Sequence, residues 1–598
     1  MSGIPERNEL AEKDRWDLSS LYEQETEWEE DLKELESRIE TIKSFRGTLS
    51  ESAQRLAEVL AYMNEVGMLE ERLGYFAMLK RSEDIGDSTN QGRFDRFMRV
   101  ATMVDSAQSY LRPEIQAIPD ERMEEFLSDE RLAPFSIFLN KLRRYRPHIL
   151  SEKEENLLSM QQEANQTASQ TFQSLVDVDL DFGTVQTPEG EKPLTQSTFI
   201  TFLQSPHREV REEAHRKFYS RFENHKQTLS SLYAGSLQLD IYKAKVRNFS
   251  SAREAALFPD KVDESVYDNL VATIRDNLPV LHRYYALRKR LLGIEEFAHF
   301  DTRVPLVPEI NVHHTYEEAV DLVCEALEPL GEEYVATLRS GLLHGWVDRY
   351  ENRGKRSGAF SAGSFVGEPY ILLNYKEEVL RDVFTLAHEA GHSMHSYYSS
   401  RNNPFQHYDY TIFEAEVAST FNEQLLNTHL LDKAREPRMQ AYLINKELDD
   451  LVGTLFRQTM FAEFEDRAHK HVEAGNPATL DYFRGTYGDL LADYFGPQVS
   501  IDEAVQMEGL RIPHFYRAFY VYKYATGISA AISLSQRVLN GGETELENYF
   551  RFLKSGGSRF PIESLAVAGV DMSSPEPIEA AMSHFAKRLD KLETLLEG

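Results

Sequence analysis

The order of apolar and polar residues along the chain is typical of long amphipathic helices. In residues 19–45, for example, Trp28, Leu32, Leu35 and Ile39 recur at steps of three or four, so they share one face of a helix. Patterns of the same kind predict helices over residues 51–80, 90–112, 121–145, 151–175, 206–250 and 263–293. The sequence therefore predicts a mainly α fold.

Two segments interrupt this helical pattern. Residues 176–196 alternate apolar and acidic side chains and then contain a Pro-Glu-Gly turn, which predicts a short hairpin. We place a domain boundary just after it, so that residues 1–200 form an N-terminal helical lobe and residues 201–598 form a second domain. Residues 353–375 are rich in glycine and end in the strand-like run "YILLNY". This strand, at 370–375, either offers an unpaired edge to an extended peptide or belongs to a structural hairpin; the pattern leaves both open.

The run "LAHEAGHSMH" at residues 386–395 places two histidines four positions apart. In a helix that begins near Lys376 and continues past His395, His388 and His392 lie on one face, where both imidazoles can bind one metal ion. Glu389 then points to an adjacent side, from which it can reach a water molecule on that metal. A structural helix with hydrogen-bonded histidines is the alternative, because so short a motif also arises by chance.

Gly391 lies between the two histidines, inside the predicted helix. Glycine in a helix interior costs about 1 kcal/mol relative to alanine, so its presence predicts a close neighbour, either another backbone or a ligand. Apolar residues between 379 and 387 predict that the helix is buried, and buried histidines need polar partners. Two other histidine pairs lack the four-residue spacing, and we expect them on the surface: His313–His314 and His469–His471.

A catalytic zinc ion normally takes three protein ligands and leaves one position for water. The next strongly predicted helix, residues 411–431, carries Glu416, Thr420, Glu423 and Asn427 at steps of four, three and four, which is one polar stripe. In isolation such a stripe is more often a solvated face. After the histidine motif, however, Glu416 is the expected third ligand, and Glu423 can accept a hydrogen bond from a ligating imidazole. Glu414 is the rival ligand, although it lies on nearly the opposite side of the helix from Glu416.

Residues 511–527, "RIPHFYRAFYVYKYATG", are dense in aromatic side chains. Tyr516, Tyr520 and Tyr524 recur every four residues, which places them on one face of a predicted helix, and His514 precedes them. Such a stripe is more often packing than a site, but tyrosine hydroxyls in a core need hydrogen-bond partners. Near a metal ion, these hydroxyls and the histidine N–H are suitable donors to the oxyanion that forms when water attacks a peptide carbonyl.

Charge and cysteine content narrow the range of functions. With 66 basic against 98 acidic residues in a chain of 598, the formal net charge is −32, which disfavours nucleic acid as a partner because phosphate contacts need a basic surface. The single cysteine, Cys324, excludes an internal disulfide and suits a reducing compartment. The sequence contains neither an apolar run of the ~18 residues that a membrane span needs nor a secretory signal. We therefore expect a cytoplasmic protein without a membrane partner.

Several motifs appear in an order that resembles a known family. They are "RSGAFSAGSF", "PYILLNY", "LAHEAGHSMH", "FEAEVASTFNE", "IPHFYRAFYVYKYATG" and "FLKSGGSRFPIESLAVAGVDM", with "RWDLSSLYEQETEW" near the start. Together they resemble oligoendopeptidase F, in the thimet-oligopeptidase-like family of zinc metallopeptidases. The resemblance implies a mainly α, elongated, two-lobed fold with a deep central substrate channel. It also implies one Zn²⁺ per chain and hydrolysis of internal bonds in short oligopeptides, with residues 201–598 as the catalytic domain.

Residue by residue, the resemblance implies the following roles. His388, His392 and Glu416 match the zinc ligands, Glu389 matches the catalytic base, and His514, Tyr516, Tyr520 and Tyr524 match the transition-state-binding segment. Thimet-type members have a glycine-rich loop in that segment, whereas this chain has "RIPHFYRAFYVYKY", so the roles of the individual tyrosines stay open. Two other functions stay open as well: a zinc carboxypeptidase of related helical fold, and a non-catalytic peptide-binding scaffold.

Overall fold

The computed structural model describes residues 3–310 and 312–597 and consists mainly of α-helices, which confirms the predicted fold class. The chain forms two compact units. The first comprises Met1–Pro147, Asn311–His429 and Leu534–Gly569, and the second comprises His148–Ile310, Leu430–Ser533 and Val570–Gly598. The chain thus passes from one unit to the other several times, whereas our predicted division is a single boundary at residue 200; that division stays a prediction. Within the described ranges, no helix is long and apolar enough to cross a membrane.

The first unit is built from helices whose apolar faces pack on one another. The stripe formed by Trp28, Leu32, Leu35 and Ile39 is buried in its core, as the periodicity predicts. The α-helices that lie wholly or mostly in this unit are Glu25–Ser44, Ala53–Glu83, Ser88–Gln108, Leu111–Ala117, Asp120–Leu127, Ser136–Arg143, Tyr316–Ala326, Glu332–Leu343, Leu380–Asn402, Phe405–Tyr408, Ile412–Lys433, Glu543–Leu553 and Pro561–Val567.

A three-stranded sheet in the first unit packs on helix Leu380–Asn402. Its central strand is Tyr370–Leu372, which pairs in parallel with Val347–Asp348 and antiparallel with Phe360–Ala362. Because both edges of the central strand are paired, the structure excludes the alternative in which the strand at 370–375 offers an unpaired edge and agrees with the structural hairpin. The glycine-rich segment folds back on that strand, so that Phe360–Ala362 takes the edge position instead.

The second unit contains the predicted hairpin, in which Thr184–Thr187 pairs antiparallel with Gly190–Pro193. Two π-helical turns, Ser174–Asp179 and Val452–Phe456, follow α-helices in this unit. Its α-helices are Glu152–Met160, Thr167–Gln173, Gln196–Leu203, Arg208–Asn224, Lys226–Val246, Ala252–Leu257, Glu264–Asp276, Leu278–Leu292, Pro437–Leu451, Arg457–Glu473, Leu480–Phe495, the first part of Tyr522–Gly541, and Glu576–Glu597.

Several predicted boundaries differ from the observed ones for local reasons. The helix that carries the histidine motif begins at Leu380 rather than near Lys376, because the Asp382 carboxylate accepts the backbone N–H of Lys376 and holds a turn before the helix. The predicted helix 263–293 divides into two, because Pro279 starts a new helix after Asn277. The predicted helix 151–175 is also interrupted between residues 160 and 167, where the chain forms a 3₁₀ turn at Ala164–Gln166.

The two histidine pairs expected on the surface differ from each other. His313 is exposed as predicted. His469 is only 1 % exposed, so its predicted surface position is wrong. Its Nδ1 atom lies 2.8 Å from the backbone carbonyl oxygen of Glu465, which satisfies one ring nitrogen inside the helix bundle. His471 is partly buried and stacks on Tyr482 with ring centroids 3.5 Å apart.

Candidate active site

Two long helices of the first unit carry the histidine motif and the predicted glutamate ligand. We call Leu380–Asn402 the motif helix and Ile412–Lys433 the glutamate helix. A Cβ atom at Gly391 would lie 2.6 Å from the Ala418 carbonyl oxygen and 2.6 Å from the Ser419 Cα. The predicted close neighbour of Gly391 is therefore the backbone of the glutamate helix. Only glycine allows the two helices to approach so closely at this point.

The side chains of His388, His392 and Glu416 converge across this helix contact. The two histidine Nε2 atoms are 3.2 Å apart, and Glu416 Oε2 lies 3.5 Å from the Nε2 of His388 and 3.9 Å from that of His392. A tetrahedral zinc site with bonds of ~2.0–2.1 Å holds neighbouring ligand atoms about 3.4 Å apart, which is close to these distances. Two imidazoles and one carboxylate are also a donor set found in catalytic zinc sites. The cluster therefore could bind a metal ion.

Each histidine of the cluster has a partner that fixes its ring. His388 Nδ1 donates a hydrogen bond to Glu423 Oε1 at 2.5 Å, so that Nε2 faces Glu416. The His392 ring hydrogen-bonds with the backbone of Ala415. Such partners orient ligating imidazoles and select their tautomer. Glu423 thus accepts a hydrogen bond from an imidazole, as its place in the polar stripe predicts.

The two imidazoles differ in their affinity for protons. Burial lowers the pKa of His388, but the hydrogen bond to Glu423 and the surrounding carboxylates outweigh burial and raise the pKa to about 9. Burial and the neighbouring His388 lower the pKa of His392 to about 3. Because ligating imidazoles must be deprotonated, a metal ion has to displace the proton of His388, and the metal affinity therefore falls as the pH falls.

Glu389 lies beside this cluster without joining it. Its side chain is largely buried, and its carboxylate accepts a hydrogen bond from the backbone of Ser361 on the edge strand. Burial raises the pKa of Glu389 to about 7. A carboxyl group with a pKa near neutrality can both take up and release a proton at working pH, which is what a general base that later acts as an acid requires.

Glu414, the rival ligand, has a different environment. It is 1 % exposed, and its Oε2 atom accepts hydrogen bonds from the backbone N–H and the Oγ1 of Thr411, both at 3.2 Å. These bonds satisfy donors at the start of the glutamate helix. The structure therefore brings Glu416, and not Glu414, to the histidines.

The edge strand Phe360–Ala362 is attached to the motif helix. Ser361 Oγ lies 2.8 Å from Ser393 Oγ, within hydrogen-bond distance. A Cβ atom at Gly363 would lie 2.2 Å from the Cβ of Ser396, so a larger residue would push the strand away from the helix. This contact holds the backbone of the strand next to Glu389.

Sequence reasoning missed an aromatic stack beside the cluster. The His395 ring stacks on Tyr410 with centroids 3.6 Å apart and planes 10° apart. The Tyr410 hydroxyl lies 2.8 Å from Ser396 Oγ and donates to the backbone carbonyl of His392 at 3.4 Å. The only signal in the sequence is the aromatic run "HYDYT" just before the glutamate helix. It does not indicate a contact with His395, because that contact depends on the connection between the two helices.

In the second unit, His514, Tyr520 and Tyr524 lie together. The rings of His514 and Tyr520 are parallel within 3° with centroids 5.9 Å apart, and the Tyr524 hydroxyl is 3.5 Å from His514 Nε2. Tyr516 lies apart from this cluster, because its ring stacks on Phe172 with centroids 4.4 Å apart. Its hydroxyl is buried, and no hydrogen-bond partner is found in the described part of the chain. Tyr516 is therefore a packing residue in this structure.

The aromatic segment is not the single helix that its periodicity predicts. A 3₁₀ turn at Pro513–Tyr516 is followed by an irregular stretch, and a helix begins only at Tyr522. Phe519 adopts a φ of 53°, in the left-handed region that residues other than glycine rarely occupy. Its backbone N–H donates to Glu465 Oε1 at 2.7 Å in the buried interior of this unit.

Comparison with known proteins identifies the family. The profile of Peptidase family M3 matches residues 201–584, and the profile of Oligopeptidase F matches residues 114–182. The chain is 42 % identical to Oligopeptidase PepF of Bacillus subtilis (strain 168) over 595 residues, which cover 99 % of this chain and 89 % of the relative.

Solved structures agree with this result. A protein from Chlamydophila abortus, described as a peptidase, has a TM-score of 0.94 and 34 % identity over 99 % of this chain and 100 % of its own. Oligoendopeptidase-F from Enterococcus faecium has a TM-score of 0.74 and 36 % identity, covering 96 % of this chain and 99 % of its own. The chain therefore belongs to peptidase family M3 and is a metallopeptidase of the oligopeptidase F type.

Proposed function

We propose that this protein is a zinc-dependent oligoendopeptidase that hydrolyses internal bonds of short peptides. The observation that carries the proposal is the convergence of the two Nε2 atoms and Glu416 Oε2 at separations of 3.2, 3.5 and 3.9 Å. In this proposal His388, His392 and Glu416 hold one Zn²⁺ per chain. When bound there, zinc would activate a water molecule and polarise the scissile carbonyl.

Glu389 is the proposed general base. Its carboxylate takes a proton from the attacking water and then passes this proton to the departing amine, so that the group ends the cycle as it began. Its burial and its raised pKa of about 7 support both halves of this role. The hydrogen bond from the backbone of Ser361 lowers the pKa of this carboxyl group and so limits the rise that burial causes.

The edge strand is the proposed binding surface for the peptide backbone. Phe360–Ala362 pairs on one side with the central strand, and an extended peptide can add to the other side by β-augmentation. Main-chain hydrogen bonds of this kind do not depend on the side chains of the peptide. They suit an enzyme that acts on peptides of many sequences.

His514, Tyr520 and Tyr524 are the proposed donors to the oxyanion. Their polar atoms share a partly exposed cluster in the second unit, whereas the Tyr516 hydroxyl is buried under Phe172. We therefore propose the first three residues, and not Tyr516, for transition-state stabilisation. We also propose that residues 201–598 form the catalytic domain, and that the protein works in the cytoplasm, where its single buried cysteine stays reduced.

The decisive experiment measures cleavage and metal content in the same samples. An internally quenched oligopeptide with an amidated carboxyl end is incubated with the wild type and with Glu389→Gln. We expect internal cleavage by the wild type, about one zinc per chain in both proteins, and a loss of ~10²–10⁴-fold in kcat for the variant. Glu414→Gln is the matched control, because it changes a buried glutamate outside the cluster, and it should remain active. An active Glu389→Gln enzyme would falsify the assignment of the base.

A further inference from the structure

A cavity of about 140 Å³ lies within the second unit. Its walls come from helices Leu278–Leu292 and Leu480–Phe495, from residues 302–305 and from the π-helical turn Val452–Phe456. Tyr285 and Phe495 form an aromatic part of the wall, with ring centroids 5.3 Å apart and planes 14° apart. Turns of π-helix within α-helices are frequent at functional sites, so the cavity is a candidate binding site.

Arg303 contributes a positive charge to this cavity. Among the residues that the structure describes, none makes a hydrogen bond or an ion pair with its guanidinium group. Burial and the neighbouring cation of Arg457 lower the pKa of Arg303 to about 10. The carboxylates of Glu508 and Asp449 act in the opposite direction but do not outweigh burial.

The other charged groups in the cavity wall are already engaged. Asp449 Oδ1 accepts hydrogen bonds from the Tyr284 hydroxyl and from Arg288 Nη1, both at 2.7 Å. Arg457 donates to Glu508, which is fully buried. The other acid in the wall, Asp450, accepts a hydrogen bond from Lys446 Nζ at 2.8 Å. These carboxylates all have other partners, so an anion from outside the protein can pair with Arg303 without breaking an existing pair.

We propose that this cavity binds a small monocarboxylate, with its charged end on Arg303 and its apolar part against Tyr285 and Phe495. A planar guanidinium presents parallel N–H groups that match the two oxygens of a carboxylate. A single unpaired cation matches a single negative charge, whereas a dianion would bring a second charge towards Asp449. The volume suits a ring-sized ligand, since an apolar cavity of roughly 150 Å³ accepts benzene.

Two kinds of molecule have a carboxylate of this type: a free organic acid, and the carboxyl end of a short peptide with an apolar last residue. Both offer one carboxylate next to an apolar group. The proposal concerns binding and does not depend on the peptidase mechanism, so a binding experiment tests it separately from cleavage.

The experiment is isothermal titration of benzoate into the full chain, with benzamide as the neutral molecule of the same shape. We expect saturable binding of benzoate and none of benzamide. Charged hydrogen bonds contribute enough that Arg303→Met should bind benzoate ~10- to 100-fold more weakly. Titration of N-acetylphenylalanine and of its amide separates the two sources, because a site for peptide ends prefers this acid to benzoate.

Control variants keep the outcome interpretable. Arg99, an exposed arginine on helix Ser88–Gln108, gives the matched control Arg99→Met, which should bind benzoate like the wild type. If Arg303→Met fails to fold, Arg303→Lys is the second variant. It keeps the positive charge but lacks the parallel N–H groups of the guanidinium, so it should bind benzoate with intermediate affinity. Equal binding of benzamide and benzoate, undiminished binding by Arg303→Met, or saturable binding of chloride as tight as that of benzoate would each overturn the proposal.

Discussion

The metal cluster and the aromatic segment are two regions that we propose to act in one reaction, yet the chain builds them in different ways. In the metal cluster, two long helices touch at Gly391, and side chains at helical spacing converge across the contact. In the aromatic segment, a 3₁₀ turn and one residue in a left-handed conformation set the positions of the rings. That residue is Phe519, and its N–H donates a hydrogen bond to Glu465, which lies 54 residues away in the sequence.

This difference predicts how each region responds to mutation. The ligand cluster rests on regular helices, so its geometry tolerates changes that leave the helix contact intact. The aromatic segment depends on a few long-range contacts, so the loss of one of them displaces several rings together. Changes in the first region should act on metal affinity, and changes in the second should act on turnover with the metal in place.

Apart from the loss of the proposed base Glu389, the largest effect is expected from single hydroxyl deletions in the aromatic segment. If their hydroxyls bind the oxyanion, Tyr520→Phe or Tyr524→Phe should lower kcat by up to ~10²–10³-fold, with unchanged zinc content. Tyr516→Phe is the matched control from the same segment. Its hydroxyl has no hydrogen-bond partner among the described residues, so the variant should keep full activity. Steady-state kinetics on the quenched peptide measure all three, and equal losses in all three would contradict the division of roles.

The two regions also differ in how far the sequence alone predicts them. Helical spacing places His388 and His392 on one face, because a helix turns by a constant angle per residue. The polar stripe that begins at Glu416 makes this residue the expected third ligand, and the structure brings the three side chains together. The same rule fails at residues 511–527, where Tyr516 shares the four-residue spacing but packs on Phe172. Helical periodicity applies only where the chain is helical, and Glu465 imposes a non-helical backbone at Phe519.

The sheet illustrates the same limit. The composition of "YILLNY" correctly predicts a strand, but strand order depends on which segments return to pair with it. The turn that folds Phe360–Ala362 onto Tyr370–Leu372 has no short-range signature that fixes the pairing. Helix content and the main site residues are therefore accessible from local pattern, whereas the edge strand, the buried His469 and the stack of His395 on Tyr410 are not.

The second-largest effect, on metal affinity, is expected when the hydrogen-bond partner of His388 is removed. Glu423→Ala removes the acceptor of the Nδ1 proton, so the ring loses its fixed orientation and tautomer. Mutation of a hydrogen-bond partner of a metal ligand typically lowers metal affinity by ~10–100-fold, and we expect a loss in that range. Competition with a chelator, followed by metal analysis, measures it. The neighbouring Gln424→Ala is the control and should keep the wild-type affinity; equal effects of both would mean that only helix stability had changed.

A smaller effect is expected from the helix contact itself. Gly391→Ala places a methyl group 2.6 Å from the Ala418 carbonyl oxygen, so the two helices must separate. Overpacking of this kind costs ~1–3 kcal/mol of the free energy of unfolding and should also weaken metal binding. Gly235→Ala is the control, because a methyl group on this helical glycine would meet no neighbouring atom within 4 Å. There alanine should stabilise the protein by up to ~1 kcal/mol. Urea unfolding of both variants distinguishes a steric effect from a change in helix propensity.

The smallest effect is expected from the loss of the hydrogen bond between the Phe519 N–H and Glu465. Glu465→Gln keeps an oxygen that can accept the Phe519 N–H, whereas Glu465→Ala leaves that N–H buried and unpaired, at a cost of ~1–3 kcal/mol. We therefore expect the alanine variant to lower kcat without loss of zinc, and the glutamine variant to preserve kcat. If both variants turn over equally well, Glu465 does not position the segment.

The same pair of variants tests a pH dependence. Burial raises the pKa of Glu465 from 4.5 to about 8, so between these values the folded protein holds a proton that the unfolded chain releases. Its contribution to stability is fully present below about pH 4.5 and is lost as the pH rises through about 8. Glu465→Gln cannot titrate and should lose less stability than the wild type between about pH 6 and pH 9. The free energy of unfolding in urea at these two pH values measures the difference, and parallel losses in the two proteins would place the titrating group elsewhere.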